Sequence, residues 1–516
     1  MPTPDLAAGS HRFVLGGEGI GSDLYISAAN EILAGKLRVF ALEYFAGEKP
    51  RWNLDPKTGR EAPLVFGKAL DYRDESLVGD IKYLWEPNRH LHLVTLAQAW
   101  RLSGEQRYLD GIRCHIESWL DQCPYPMGPN WTSSLELAIR LINWSFVWQL
   151  IGGQASPLFS NAGGRLLRAR WLESIYRHMH FVRGNFSKYS SANNHLIGEA
   201  AGLFIAATMW PHWRESKRWA RQAGSILERE ILLQNCADGV NREQAISYQQ
   251  FVLDFLLMAA LAGRANGHDF SERYWKRIEA MMEFLASIMD ARGNVPMIGD
   301  ADDGFVVGMS QEQRFCPYRS LLATGTVLFR RGEFKVKAGW LDDKTRWLLG
   351  PDAETVFKTV TIDEVVLPIR RAFPEGGYHI LGSDFETDRE IRLVVDSGPL
   401  GYLSIAAHGH ADALAFTLSV GGHEFLIDPG TFAYHTEQAW RDYFRGTAAH
   451  NTVVVDEQNQ STIGGNFMWL QKANSVCEIW ESKIDSDRFA GWHDGYMQLN
   501  DRVLHRREIK LNKSEQ

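Results

Sequence analysis

The sequence predicts a multidomain α+β protein in which a half built of stacked helices is followed by a half built of strands. Two observations carry this. From about Leu91 to Met289 apolar residues recur at helical spacing, and after about Gly325 the pattern changes to alternation. With 516 residues the chain is long enough for two or three cores.

In the first half Leu137, Leu141, Trp144 and Trp148 stand at i, i+4, i+7 and i+11 and mark one apolar helix face. Further helices are predicted over residues 90–102, 108–120, 196–210, 249–262 and 273–289, separated by short loops containing Gly, Pro or Asn. Such a series closes as an α-solenoid or an α/α toroid. No repeat of fixed period and signature appears, which disfavours a tetratricopeptide-type array. In the second half Leu414, Phe416, Leu418 and Val420 line one strand face, residues 452–455 form a β-branched run, and residues 502–511 are strand-like. Gly421-Gly422 makes a two-residue hairpin turn, because both positions of such a turn need positive φ. The boundary between the halves is expected between Gly304 and Phe334, and residues 1–80 are expected to be an N-terminal extension.

A formal net charge of −8 argues against a general polyanion-binding surface, so an acidic polymer needs a locally basic cleft and no nucleic-acid partner is expected. Cys114, Cys123, Cys236, Cys316 and Cys477 are scattered, odd in number and never form a CxxC, which excludes a disulfide framework or cysteine-rich zinc module. The first ten residues lack the basic and then apolar stretches of a secretory leader, and no run reads as spanning a bilayer, so no membrane partner is expected. The compartment stays open: bacterial cytoplasm for the chain as it stands, periplasmic or secreted if a leader was removed. The last strand-like stretch runs nearly to Gln516, so the β half is expected to continue in the native protein.

The densest chemistry is His408-Gly409-His410-Ala411-Asp412, then Ile427-Asp428-Pro429-Gly430, then Ala449-His450-Asn451-Thr452. The hairpin at Gly421-Gly422 folds Asp428 back toward His410, and a third segment carrying His450 completes a set of ligands. Imidazole and carboxylate in that ratio suit Zn²⁺, with Mn²⁺ or Ca²⁺ as alternatives. Taken singly, each histidine reads better as a hydrogen-bonded core or surface residue. In the helical half, Asn193-Asn194-His195 precedes an apolar run, so an Asn caps a helix whose positive end can hold a carboxylate. Asp238-Gly239-Val240-Asn241-Arg242-Glu243-Gln244 leads in the same way to Tyr248, which alone reads as a packing residue.

In this order the pieces resemble the heparinase II/III-like polysaccharide lyases: Asn194-His195 before a helix, Tyr248 some fifty residues later, then His-Gly-His-Ala-Asp, Asp-Pro-Gly and His-Asn-Thr. Trp85-Glu86-Pro87-Asn88-Arg89, and Asn130-Trp131 with Glu136 and Arg140, are similar to the family's N-terminal segments, so the resemblance runs from about Lys82 to Val455. It implies an α/α toroid over residues 81–325 and an antiparallel β-sandwich over residues 326–516, with a structural zinc held by His410, Asp428 and His450. Two departures leave substrate preference least specified. Gln249 stands where a histidine often follows the family tyrosine, and Glu243-Gln244-Ala245-Ile246-Ser247 replaces a Glu-x-Ser-Pro approach.

The resemblance also implies an activity: β-elimination on a uronic-acid-containing glycan, either a glycosaminoglycan (heparin or heparan sulfate, chondroitin, hyaluronan) or alginate. Asn194 and His195 would neutralise the uronate carboxylate, and Tyr248 and His408 would share the proton transfers, or Tyr248 would make both where they fall on one face of the sugar. Contacts to the glycan fall to Glu86, Asn88, Arg89, Asn130, Trp131, Arg140, Arg242 and Glu243, with guanidinium forks for oxyanions and Trp85 and Trp131 for stacking on sugar faces. Each arginine reads equally well as a solvated or helix-pairing charge, as Glu136 with Arg140 at i, i+4 illustrates. The partner is then an acidic polysaccharide, and the protein a monomer or homodimer. Two rivals are a glycoside hydrolase on the same toroid, using Glu199 and Glu243, and a non-catalytic exopolysaccharide-binding or assembly protein on the lyase scaffold.

Overall fold

The structure, a computed structural model, describes residues 16–513 except 363, 364 and 366. Helices Ser134–Leu150, Asn194–Met209 and Ile246–Ala265 are buried on nearly every face. By contrast, Gln106–Gln122, Ala162–Gly184, Ser216–Gln234 and Glu272–Ile288 bury one stripe each. A helix apolar all round must be enclosed, whereas an amphipathic one can face water, so the first set forms an inner ring and the second an outer one. This is the α/α toroid. Every helix expected from spacing is present, including Leu91–Ser103. Ile246–Ala265 is, contrary to the sequence reading, long and apolar enough to cross a membrane, but nearly all of it is enclosed in the toroid as a core helix.

Residues 16–80 are part of this body rather than an extension. Helix Ser22–Leu33 packs Tyr25, Ala29 and Ile32 into the same core as Leu93 and Leu96, and the Tyr25 hydroxyl donates to the Met309 carbonyl at 3.2 Å. The helical half also runs further than expected. Pro317–Phe329, Gly332–Ala338, Asp343–Leu349 and Asp352–Thr359 occupy the stretch where strands were expected to begin, and the first strand of the second body is Ala372–Phe373. Three of these helices have only seven or eight residues, too few to display a helical period in the sequence. Part of their hold is ionic: Lys344 Nζ lies 2.6 Å from Asp254, both side chains buried, and ties Asp343–Leu349 to the inner ring.

The second body is an antiparallel β-sandwich. Its five-stranded sheet runs in chain order through Ala372–Phe373, Tyr378–Ser383, Ile391–Asp396, Phe416–Val420 and His423–Leu426. A three-stranded sheet of Ser475–Ser482, Ser486–His493 and His505–Asn512 faces it. Leu381, Leu393, Val395, Leu414 and Phe489 fill the space between them. Strand Tyr378–Ser383 is buried on both faces because Tyr378 and Ile380 point the other way, into the helical core, with Tyr378 5.2 Å from the Phe284 ring. Gly421 and Gly422 take φ of 57° and 73° and close their hairpin as expected. Residues 452–455, read as a strand, are irregular apart from one bridge at Val455. Here the Thr452 hydroxyl and the Asn451 amide bond backbone carbonyls at Ala413, Phe416 and Ile427 instead.

Replacing Lys344 by Met leaves the Asp254 carboxylate buried without its cation. It is expected to lower stability by about 3–5 kcal/mol, and K344M with D254L to recover most of that loss, as measured by urea unfolding of the three proteins.

Candidate active site

The site is built first from helix starts. Asn193 caps Asn194–Met209, its side chain accepting from the His195 N–H at 3.2 Å. The next residue, Asn194, donates from its backbone N–H and its Nδ2 to Glu243 at 3.0 and 2.9 Å. The helix start expected to receive a substrate carboxylate thus already carries the chain's own Glu243. Burial raises the Glu243 carboxyl, with His408 and Asn194 working against the rise. His195, half-buried, is pushed down to about 4 by burial and then by His408, so its imidazole is neutral at pH 7.

Tyr248 lies in the first turn of Ile246–Ala265 and stacks on His408, with ring centroids 3.9 Å apart and planes 16° from parallel. Its hydroxyl hydrogen-bonds the hydroxyl of Tyr434. Burial, then Tyr434 and Asp302, raise the Tyr248 phenol well above its usual range, so it keeps its proton. His408 places Nε2 3.6 Å from Glu243 Oε2 and Nδ1 3.1 Å from Asp300 Oδ2. A Cβ added at Gly409 would come within 1.5 Å of the Leu400 carbonyl oxygen, so only glycine lets the two histidines pass at this depth.

Asp300, wholly buried, gathers the polar groups of this seam. It accepts from His408, from His410 Nε2 at 3.0 Å, from the Thr431 hydroxyl at 3.3 Å and from both terminal nitrogens of Arg441, one of them at 2.6 Å. Burial alone would raise its carboxyl, but the Arg441 charge and these hydrogen bonds hold it well below the usual carboxylate range.

His410, Asp428 and His450 come together as expected, with one donor atom from each lying within 4.8 Å of the others. His450 Nδ1 is 3.0 Å from Asp428 Oδ2. The remaining ring nitrogens, His410 Nδ1 and His450 Nε2, are buried without a hydrogen-bond partner. Buried polar atoms are normally satisfied, so imidazole nitrogens left unpartnered in a group of two histidines and a carboxylate fit a ligand set, and the group can hold a divalent metal. When bound, the metal would supply charge and cross-link three separate loops.

Tyr248, His408, Asn194 and Glu243 are therefore brought together, with His195 next to them and Arg242 half-exposed nearby in the chain. The other expected glycan contacts are not. Arg89 is held by both oxygens of Glu136 at 2.8 Å and by Glu86 at 2.7 Å, which leaves Glu136 paired with Arg89 and not with Arg140. Arg140 has no exposure, bonds the Asn88 carbonyl and His178, and lies over the Trp119 ring. Asn88 spends its amide on the Trp52 and Leu84 carbonyls, Asn130 on Trp52 and Asn53, and Trp131 on the Cys123 carbonyl. Burial lifts the Glu86 carboxyl to about 7. These residues build the toroid wall: all but the half-buried Glu86 are buried, and the contacts above take up most of their polar atoms, with Asn130 Oδ1 and Arg140 Nη2 left unpartnered inside the wall. Glu199, the hydrolase candidate, is likewise buried against Ser187 and accepts both its N–H and its hydroxyl, at 2.7 and 2.8 Å. Sequence reasoning missed Asp300, Tyr434 and Arg441. The one available signal was the acidic run Asp300-Ala301-Asp302-Asp303 in a stretch bounded by Gly299 and Gly304.

Fold and seam together define a toroid-and-sandwich protein with a polar centre between its two bodies. Residues 38–314 match the family description Heparinase II/III N-terminus, and residues 366–516 match Heparinase II/III-like, C-terminal. The chain belongs to the heparinase II/III family. A heparin-sulfate lyase of Bacteroides thetaiotaomicron is 24% identical over 427 residues, which are 78% of this chain and 56% of that protein. One from Pedobacter heparinus is 23% identical over 413 residues, 76% and 55% of the two chains. The chain thus spans somewhat more than half the length of these curated relatives. The crystal structure of heparinase III superimposes with a TM-score of 0.69 at 17% identity, covering 97% of this chain and 71% of that one. A heparan sulfate lyase from Pedobacter heparinus gives 0.61 at 19%, covering 98% and 70%. At such identities the superpositions show a shared fold.

Zinc added at about 100 times its Kd to metal-free protein is expected to stabilise it by about 2.7 kcal/mol, read as a rise in Tm. In His410→Ala or His450→Ala the rise is expected to vanish.

Proposed function

We propose that this chain is a polysaccharide lyase that cleaves a uronic-acid-containing glycan by β-elimination, and that the glycan is a glycosaminoglycan of the heparan sulfate type. The observation that carries the reaction type is the stack of Tyr248 on His408, 3.9 Å apart, in the seam where Asn194 and His195 begin a helix. An elimination needs a proton taken and a proton given beside a single sugar, and this pair offers a group for each. The heparin-sulfate lyases named above support the substrate class.

The C5 proton of a uronate is weakly acidic because it stands next to a carboxylate that resists further negative charge. The second amide N–H of Asn194 and the neutral ring of His195 are donors for that carboxylate, and they stabilise the enolate-like charge that develops on it. His408 Nε2 takes the C5 proton, the C4=C5 bond forms as the C4–O bond breaks, and the Tyr248 phenol gives its proton to the departing oxygen. Both side chains then return to their starting states by exchange with solvent. Arg242 serves a carboxylate or sulfate on a neighbouring sugar. Zinc fits two imidazoles and a carboxylate, and at His410, Asp428 and His450 it would fix the loop that carries His408.

Incubation with heparan sulfate is expected to generate near-ultraviolet absorbance from an unsaturated uronate, with heparin, chondroitin sulfate, hyaluronan and alginate run beside it to decide the polymer. Tyr248→Phe is expected to lower turnover by roughly 10²–10⁴-fold while glycan binding is retained. New reducing ends without absorbance, or a Y248F protein as fast as wild type, would exclude the elimination.

A further inference from the structure

We infer that Asp300 is a positioning residue for both histidines of the His408-Gly409-His410 motif. It fixes the tautomer that leaves Nε2 of His408 open for proton transfer and Nδ1 of His410 open for a metal. The part about turnover rests on the lyase reading above, whereas the part about tautomers and metal does not.

The Asp300 carboxylate faces the Arg441 fork, bonded to both terminal nitrogens. A carboxylate clamped by guanidinium has no proton to give and can only accept. Nδ1 of His408 lies 3.1 Å from one of its oxygens and Nε2 of His410 lies 3.0 Å from the other. Each ring must therefore present its N–H at that nitrogen, and a neutral imidazole then has none on the opposite one. In His408 the opposite nitrogen is Nε2, in the seam beside Glu243 at 3.6 Å. In His410 it is Nδ1, buried without a partner in the group formed with Asp428 and His450.

The backbone reinforces this geometry. The Asp300 N–H donates to the His408 carbonyl at 2.9 Å, and the tight passage of Gly409 against Leu400 keeps the motif from swivelling. Asp300 belongs to the helical body, between Glu272–Ile288 and Pro317–Phe329, while both histidines belong to the sandwich. One side chain of the first body thus sets the chemistry of two rings in the second, as outer carboxylates do for histidine ligands of metals.

Nitrogen-15 NMR of the histidine rings in metal-free wild-type protein at pH 8, assigned with H408Q and H410Q, reads the tautomers directly. His408 is expected to carry its proton on Nδ1 and His410 on Nε2. In Asp300→Asn one accepting oxygen replaces two, so at least one ring is expected to change tautomer. Zinc affinity of metal-free D300N, measured by competition with a chromophoric chelator, is expected to fall about 10–100-fold, and kcat on heparan sulfate by a similar factor with KM within about threefold. Opposite tautomers in the wild type overturn the inference, and so does a folded D300N that retains either zinc affinity or turnover in full. The tautomer and zinc measurements use no glycan, so they stand if the elimination reading fails. If D300N does not fold, the wild-type spectrum decides.

Discussion

A helix enclosed on every face can offer groups to an open cleft only at its ends, and this constraint places the site. Ser134–Leu150, Asn194–Met209 and Ile246–Ala265 carry Glu136, Asn194 and Tyr248 in their first turns. Outer helices return the chain between them, so successive inner helices run the same way and their starts collect on one rim. The contacts follow that arrangement. Glu136 reaches Arg89, just ahead of Leu91–Ser103, and Asn194 reaches Glu243, just ahead of Ile246–Ala265. At the site itself the sandwich contributes connecting segments rather than strands: His408 and Tyr434 lie outside its strands and Arg441 lies on the short helix Gln438–Phe444.

Closing two apolar bodies around charges costs desolvation, and the seam offsets it by pairing: Asp300 with Arg441, Arg392 with Glu390 at 2.9 Å, Lys82 with Asp302 at 3.5 Å. Where no full partner exists, the group gives up its charge instead. Tyr248 keeps its phenolic proton, His195 is neutral, and burial moves Glu243 toward its protonated form. The centre is thus lined by dipoles, with the full charges locked one layer behind them.

Much of this was legible because it is local. Helical spacing gave the inner helices and two outer ones, though not Ala162–Gly184 or Ser216–Gln234, the strand pattern gave a β half, and Asn194, Tyr248, His408, His410, Asp428 and His450 stood out as polar or titratable residues in recognisable order. What escaped depends on partners far away in the chain. Asp300 acquires its meaning from Arg441, 141 positions on, and Tyr434 from Tyr248, 186 positions back. Arg89 and Arg140 looked like oxyanion anchors because nothing in their own segments shows that Glu136, Glu86, His178 and the Asn88 carbonyl consume them. The boundary was placed too early for a similar reason. The short helices between Pro317 and Thr359 are held by contacts to the toroid, the Lys344–Asp254 pair among them, rather than by a period of their own.

Because Glu243 already sits on the start of Asn194–Met209, that helix start presents oriented amide and imidazole groups rather than a fixed positive charge, and on the lyase reading proposed above a sugar acid would meet those groups first. Contacts at hydrogen-bond range are little affected by dissolved salt, whereas attraction to outlying cations such as Arg242 is largely screened beyond about 10 Å at 0.1 M ionic strength. For a polyanion of the proposed kind, gathering the chain and seating its ring would then be separate tasks for separate residues. Brine would slow the first and spare the second.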